Sequence, residues 1–74
     1  MGNSPLRWAA RNGQEEVVKI LLARDDIDPN KRDLEGRTPL WWAAFNRHQG
    51  VVEMLLGRGG TDPNEPDWYG RTPL

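Results

Sequence analysis

The sequence predicts an all-α protein built as a solenoid of helix-turn-helix repeats, and three observations support this fold class. First, positions 4–37 and 38–71 share 17 identities in 34 ungapped positions. Second, each copy opens with a Ser or Thr followed by Pro, a typical start of a helix. Third, apolar residues then recur at the i, i+3, i+4 spacing of an amphipathic helix. Copies this small must stack to bury their apolar faces.

A Ser/Thr-Pro-Leu motif divides the chain, because it occurs at positions 4, 38 and 72. We therefore assign a first repeat to 4–37, a second to 38–71 and the start of a truncated third to 72–74. About three repeats are normally needed for stability. Weak autonomous folding is expected, with further repeats in a longer parent chain.

The first helix of each repeat is predicted to begin at its proline, where the missing N–H is no loss. It runs to about Asn12 in the first repeat and to about Asn46 in the second. Gly13 suits the left-handed conformation that ends such a helix. Arg47 takes that place in the second repeat, at a cost of about 1 kcal/mol if its backbone is left-handed.

The second helices are predicted at 14–23 and 49–56. Their apolar residues are expected to be buried: Val17, Val18, Ile20, Leu21 and Leu22 in the first repeat, and Val51, Val52, Met54, Leu55 and Leu56 in the second. Glycines at 57, 59 and 60 should loosen the end of the later helix. Hairpin-like links follow, and in the first of them Asp28 and Asn30 are expected to hydrogen-bond local backbone.

These motifs resemble the ankyrin repeat, over essentially the whole chain. The resemblance is carried by Thr38-Pro39-Leu40, Ala43-Ala44, Val51-Val52, Leu55-Leu56, Asp62 and Asn64. It implies L-shaped units whose antiparallel helices stack into a curved bundle, with hairpin loops projecting sideways. The link RDDIDPN and the PL-x-WAA start are most similar to long ankyrin arrays of filamentous fungi. The family usually has His after Thr-Pro-Leu, hydrogen-bonded across repeats, where this chain has Arg7 and Trp41.

Trp41, Trp42 and Phe45 are spaced to form a ring cluster on one side of their helix. The same side of the first repeat carries Arg7, Trp8 and Arg11, and the resemblance implies that this side lines a concave groove. Two interpretations stay open for Trp8 and Trp42: they cover each other and seal the seam between repeats, or they bind a partner. Phe45 has no evident core role and is predicted to be exposed.

Trp68 and Tyr69 replace Leu34 and Glu35 in the second link. The resemblance implies that these pairs lie near hairpin tips, which commonly bind partners. The alternative is that a following repeat packs on Trp68.

Catalysis is not expected. The chain has no cysteine, one serine (Ser4, a helix cap) and one histidine (His48, expected to be an ordinary surface residue of the turn). Residues 26–30 have the D-x-D-x-N pattern with which a calcium-binding loop begins. However, Lys31 and Arg37 occupy the positions where such a loop requires glycine and glutamate. We therefore predict no catalytic residue, no metal and no cofactor. A net charge of -1 and the lack of a long apolar run argue against nucleic-acid and membrane binding.

The predicted function is protein–protein interaction through the concave groove and the loop tips, with a partner of unknown identity. The candidate contact residues are Arg7, Trp8, Arg11, Leu34, Glu35, Trp41, Trp42, Phe45, Trp68 and Tyr69. One alternative is a regulatory or sensor segment of a larger enzyme or receptor; another is a truncated fragment without a function of its own. The lack of cysteine and of a secretory signal favours an intracellular setting, cytoplasmic or nuclear.

Overall fold

A computed structural model of the protein describes residues 4–58 and 64–72. These residues form four helices: α1 (Pro5–Arg11), α2 (Glu15–Leu22), α3 (Pro39–Phe45) and α4 (Gln49–Arg58). No residue in the two described ranges lies in a strand. The all-α fold class is confirmed, and corresponding helices begin 34 residues apart. The boundaries of the three repeat segments stay a prediction.

Both inner helices, α1 and α3, begin as predicted. Ser4 Oγ accepts a 3.1 Å hydrogen bond from the backbone N–H of Arg7, and Thr38 Oγ1 accepts one of 3.0 Å from Trp41. A proline follows each cap in the first turn, where no backbone N–H is needed. The cap and the proline together fix where each inner helix starts.

The turns after the inner helices have the left-handed backbone that was predicted. Gly13 has φ 69° and Arg47 has φ 59°. Gly13 is required for a second reason, because a Cβ there would lie 2.6 Å from Nδ1 of His48. His48 is therefore more than an ordinary surface residue: its ring fills the space beside the first turn and joins the two helix pairs.

The helices pack as two pairs side by side. α1 contacts α2 and α3, while α4 contacts α3 and α2. Ala9, Ala10 and Ala43 on the inner helices have almost no exposed surface, and their small side chains let neighbouring helices approach closely. The core consists of fully buried side chains from all four helices: Leu6, Ala9, Ala10, Val18, Leu40, Ala43, Val51 and Leu55.

Three of the residues predicted to be buried are exposed: Val17, Ile20 and Leu56. Val51, the equivalent of Val17, is fully buried. Since the two pairs have the same internal packing, the difference comes from the neighbouring pair, which covers one side of each pair only. The apolar period of a single helix cannot show on which side a neighbour lies, so the prediction was wrong for these residues.

The first link contains a tight hairpin turn. The backbone N–H of Asp33 donates to the carbonyl of Arg37 at 2.9 Å, and Gly36 N–H donates to Asp33 at 3.1 Å. The second link repeats both bonds 34 residues later, at 2.8 and 3.1 Å. Earlier in the first link, Asp28 Oδ1 accepts a 2.9 Å bond from the N–H of Asn30, as predicted.

The loosening of α4 that was expected from its glycines is not observed at Gly57. α4 continues through Gly57 to Arg58, two residues beyond the predicted end. The guanidinium of Arg58 donates to the carbonyl of Leu22 in α2. Gly59 and Gly60 lie outside the described residues.

Candidate functional site

Asp33 organises the first link and ties it to α3. Its Oδ1 accepts hydrogen bonds from the backbone N–H groups of Glu35 and Arg37, at 2.9 and 3.0 Å. Its Oδ2 accepts one of 2.9 Å from the indole of Trp42 and lies 3.8 Å from the guanidinium of Arg7. Desolvation by burial raises the pKa of Asp33, but the indole and backbone hydrogen bonds outweigh it, so the pKa is lowered.

Asp67 has the same role in the second link. Its Oδ1 accepts from the N–H groups of Tyr69 and Arg71, both at 2.9 Å, and its Oδ2 accepts from Arg37 Nε at 3.1 Å. Desolvation again acts to raise the pKa of Asp67, and the hydrogen bonds to the carboxylate again lower it overall. Both carboxylates are therefore structural groups of the links.

Arg37 connects the second link to the tryptophans of α3. Its guanidinium lies 4.4 Å from the ring centre of Trp41 and 5.1 Å from that of Trp42, within cation–π range. The indole of Trp41 also donates a 2.9 Å bond to the carbonyl of Arg71. Links and inner helices thus form one hydrogen-bonded frame, and Trp41, at the position where the family usually has histidine, ties α3 to the second link of its own repeat.

The three rings of α3 contact one another, which confirms the predicted cluster. Trp41 stacks on Phe45 at 5.0 Å between ring centres, and Trp42 meets both rings edge-on, at 5.2 and 6.1 Å. However, Trp41 is only 3% exposed, although it was expected on the open side. The second link covers it, and the position of a link against a helix cannot be deduced from helical spacing.

Four residues on the ring-bearing side of α1 and α3 are accessible to solvent. This set is here called the inner-helix surface and consists of Trp8, Arg11, Trp42 and Phe45. Trp8 is 54% exposed and Phe45 is 55% exposed, as predicted for Phe45. The guanidinium of Arg11 lies 4.8 Å from the ring centre of Trp42. Trp8 therefore does not serve mainly to seal a seam between the repeats, while Trp42 is half-buried and anchored by its indole.

A shallow, open groove of about 630 Å³ runs along this surface. Its lining residues come from α1, α3 and the turns that follow them: Trp8, Arg11, Asn12, Asn46 and His48. The side chains of Asn46 and His48 both contact the carbonyl of Arg11 at 3.0 Å. These two contacts fix the backbone that carries Arg11, so the groove has a rigid floor.

A second exposed apolar surface lies on the two hairpins, here called the link tips: Leu34, Glu35, Trp68 and Tyr69. Trp68 is 65% exposed, and Leu34 and Tyr69 are exposed as well. The backbone N–H of Trp68 donates to the carbonyl of Glu35 at 3.0 Å, and its ring covers Gly36 of the preceding link. Trp68 therefore packs on the earlier link, and most of its ring stays exposed.

The structure divides the candidate contact residues into three groups. The inner-helix surface and the link tips bring together eight of them, whereas the buried Arg7 and Trp41 support the surface from beneath. Sequence reasoning missed Asp33, Asp67 and Arg37. The available signal was their recurrence: an aspartate and an arginine occupy the same places in both repeats without belonging to any apolar pattern.

Within residues 4–58 and 64–72, no three His, Cys, Asp or Glu side chains group closely enough to hold a metal ion. The helices in this part of the chain are too short or too polar to cross a membrane.

Stacked helix pairs with hairpin links and an open inner surface define a repeat protein of the solenoid class. A family model described as "Ankyrin repeats (3 copies)" matches residues 1–67, so the chain belongs to the ankyrin-repeat family. No curated protein matches the chain. Ankyrin repeats are generally protein–protein interaction modules and are typically scaffolds without catalytic activity. The likeness to fungal arrays stays a prediction.

Proposed function

We propose that this protein is an interaction module whose protein partner docks on the inner-helix surface and extends to the link tips. The observation that carries the proposal is the exposure of four large rings, at 8, 45, 68 and 69, on an otherwise well-packed frame. Tryptophan, tyrosine and arginine are the residues most enriched in the energetic centres of protein interfaces. Exposed apolar surface that no described residue covers is typical of a binding site.

The frame reduces the entropic cost of binding. The indole of Trp42 is held by Asp33, and the backbone at Arg11 is held by two side-chain contacts from the second repeat. Side chains that are already ordered lose little freedom when a partner binds, and preorganisation of this kind raises affinity. Rigid presentation is therefore the mechanism that we propose.

The candidate residues have two roles in this proposal. Direct contact with the partner is assigned to Trp8, Arg11, Trp42 and Phe45 on the inner helices and to Leu34, Trp68 and Tyr69 on the tips. Support of that surface is assigned to Arg7, Glu35 and Trp41. Arg7 pairs with Asp33, and Glu35 pairs with Arg37 at 3.0 Å.

Affinity capture from a cell lysate, quantified by mass spectrometry, tests this proposal. Replacing both Trp8 and Phe45 with alanine should reduce the recovery of specific partners about tenfold or more, since central interface rings each contribute over about 1.4 kcal/mol. Ile20→Ala is the matched control, because Ile20 is an apolar residue on α2 that is at least as exposed as Trp8 and Phe45. Circular dichroism verifies that all variants fold. Equal recovery with the double variant and the control would contradict the proposal.

A further inference from the structure

The inner helices differ in charge from the rest of the chain. The protein contains eleven Asp and Glu residues, yet none of them lies in α1 (PLRWAAR) or α3 (PLWWAAF). The net charge of the whole chain is -1, but the one charged side chain of the inner-helix surface, Arg11, is basic. This charge pattern favours a partner with negative charge at the point of contact.

Arg11 is the charged group available on this surface. Arg7, on the same helix, is buried beside Asp33, whereas Arg11 is exposed and forms no ion pair with any residue in the described ranges. Its guanidinium lies over the Trp42 ring, with 4.8 Å to the ring centre. A guanidinium on an aromatic face keeps its N–H donors at its edge, in the fork that matches a carboxylate.

From these contacts we propose that the inner-helix surface binds an acidic segment of the partner protein, with an Asp or Glu carboxylate bound to Arg11. Apolar side chains next to that residue pack on the exposed rings of Trp8 and Phe45. This inference rests on the proposed function and adds the chemical class of the bound segment to it.

A carboxylate fits the surface better than a phosphate does. Phosphopeptide sites use clusters of arginines, and nucleic-acid sites neutralise several phosphates along a backbone. Here a single guanidinium lies over an aromatic ring, on a surface that also carries the exposed rings of Trp8 and Phe45. One bidentate ion pair flanked by two apolar contacts corresponds to one acidic side chain within an extended apolar segment.

Selection from a random-peptide display library on the folded protein tests the inference. Selected peptides should be rich in Asp and Glu next to apolar residues. The Kd of a selected peptide should increase about tenfold or more in Arg11→Gln, with no change in Ile20→Ala. Repeating the selection on Arg11→Glu should enrich Lys and Arg instead, which gives a positive signal even if Arg11→Gln weakens the fold.

The other outcomes separate this inference from the proposed function. Peptides that depend on Trp8 and Phe45 but lack acidic residues, or that bind Arg11→Gln unchanged, would overturn the acidic segment and leave the proposed function intact. A single-stranded RNA that displaces the selected peptides at lower concentration than an acidic peptide would also overturn it. Selection of no peptide that depends on Trp8 and Phe45 would overturn both proposals.

Discussion

The indole N–H of Trp42 donates a 2.9 Å hydrogen bond to Oδ2 of Asp33, and this bond joins an inner helix to the link that precedes it. The same carboxylate accepts two backbone N–H groups of its own link on the other oxygen. One buried side chain thus fixes both the shape of the link and the orientation of a ring on the inner-helix surface. This arrangement connects the stability of the links to the geometry of the proposed binding surface.

Asp33→Ala should lower the free energy of unfolding by about 3 kcal/mol, because it leaves an indole N–H and two backbone N–H groups without their charged acceptor. Urea denaturation followed by circular dichroism measures the change. Asp28→Ala is the control, since Asp28 is exposed and accepts from a neighbouring backbone N–H, so it should cost less than about 1 kcal/mol. Equal losses in the two variants would contradict the role of Asp33.

Stability should fall in acid through Asp33 and Asp67. Both have a lowered pKa in the folded state, whereas an aspartate in the unfolded chain titrates near about 4. The folded state therefore binds protons less readily than the unfolded chain. The stabilisation that these two carboxylates contribute is present above pH about 4 and is lost as the pH falls through their pKa values in the folded state.

The urea midpoint of the natural protein, measured from neutral pH into acid, should decrease below pH about 4. The double variant Asp33→Asn, Asp67→Asn should be less stable at neutral pH and lose less of its remaining stability in acid. An acid decrease as steep as that of the natural protein would show that other groups cause it.

Arg47→Gly should stabilise the protein by about 1 kcal/mol, since it removes a side chain from a left-handed residue. Gly13→Ala, at the equivalent turn, should destabilise it by more than that, because the new Cβ would also overlap the His48 ring. Thermal unfolding of both variants tests the pair. A decrease in Tm for Arg47→Gly would mean that the arginine contributes more through its side chain than it costs through its backbone.

The sequence was sufficient for the parts of the fold that depend on local chemistry. Caps, prolines and the left-handed turn depend on a few neighbouring residues, and the 34-residue spacing placed them in both copies. What could not be predicted depends on packing between copies. Trp41 was expected on the open side, but the second link covers it, and Val17 was expected in the core, but it is exposed.

The proposed binding surface could also be predicted only in part from the sequence. The ring contacts of Phe45 followed from helical spacing, and its exposure from the lack of a core role. Asp33 and Arg37 were missed, because apolar periodicity within a helix does not include polar link residues, and their contacts join a link to a helix or to the other link. The recurrence of the aspartate in both repeats marks the position, but its role follows only from the contacts of its two oxygens with a link and a helix.

Trp41 and Trp8 should differ sharply when each is replaced by alanine. Trp41→Ala removes a buried ring and its hydrogen bond to Arg71, so it should cost about 3–5 kcal/mol of unfolding free energy. Trp8→Ala removes an exposed ring and should cost less than about 1 kcal/mol. Denaturant titrations of the two variants give the comparison, and similar losses would place Trp8 in the core.

Docking on the inner-helix surface is tested most directly by an NMR titration of the isotope-labelled protein with a peptide selected on it. The indole N–H signals of Trp8 and Trp42 and the amide of Arg11 should shift, while the amides of Lys19 and Ile20 on α2 stay unchanged. Shifts confined to α2 and α4, with the Trp8 indole unaffected, would contradict the proposed surface.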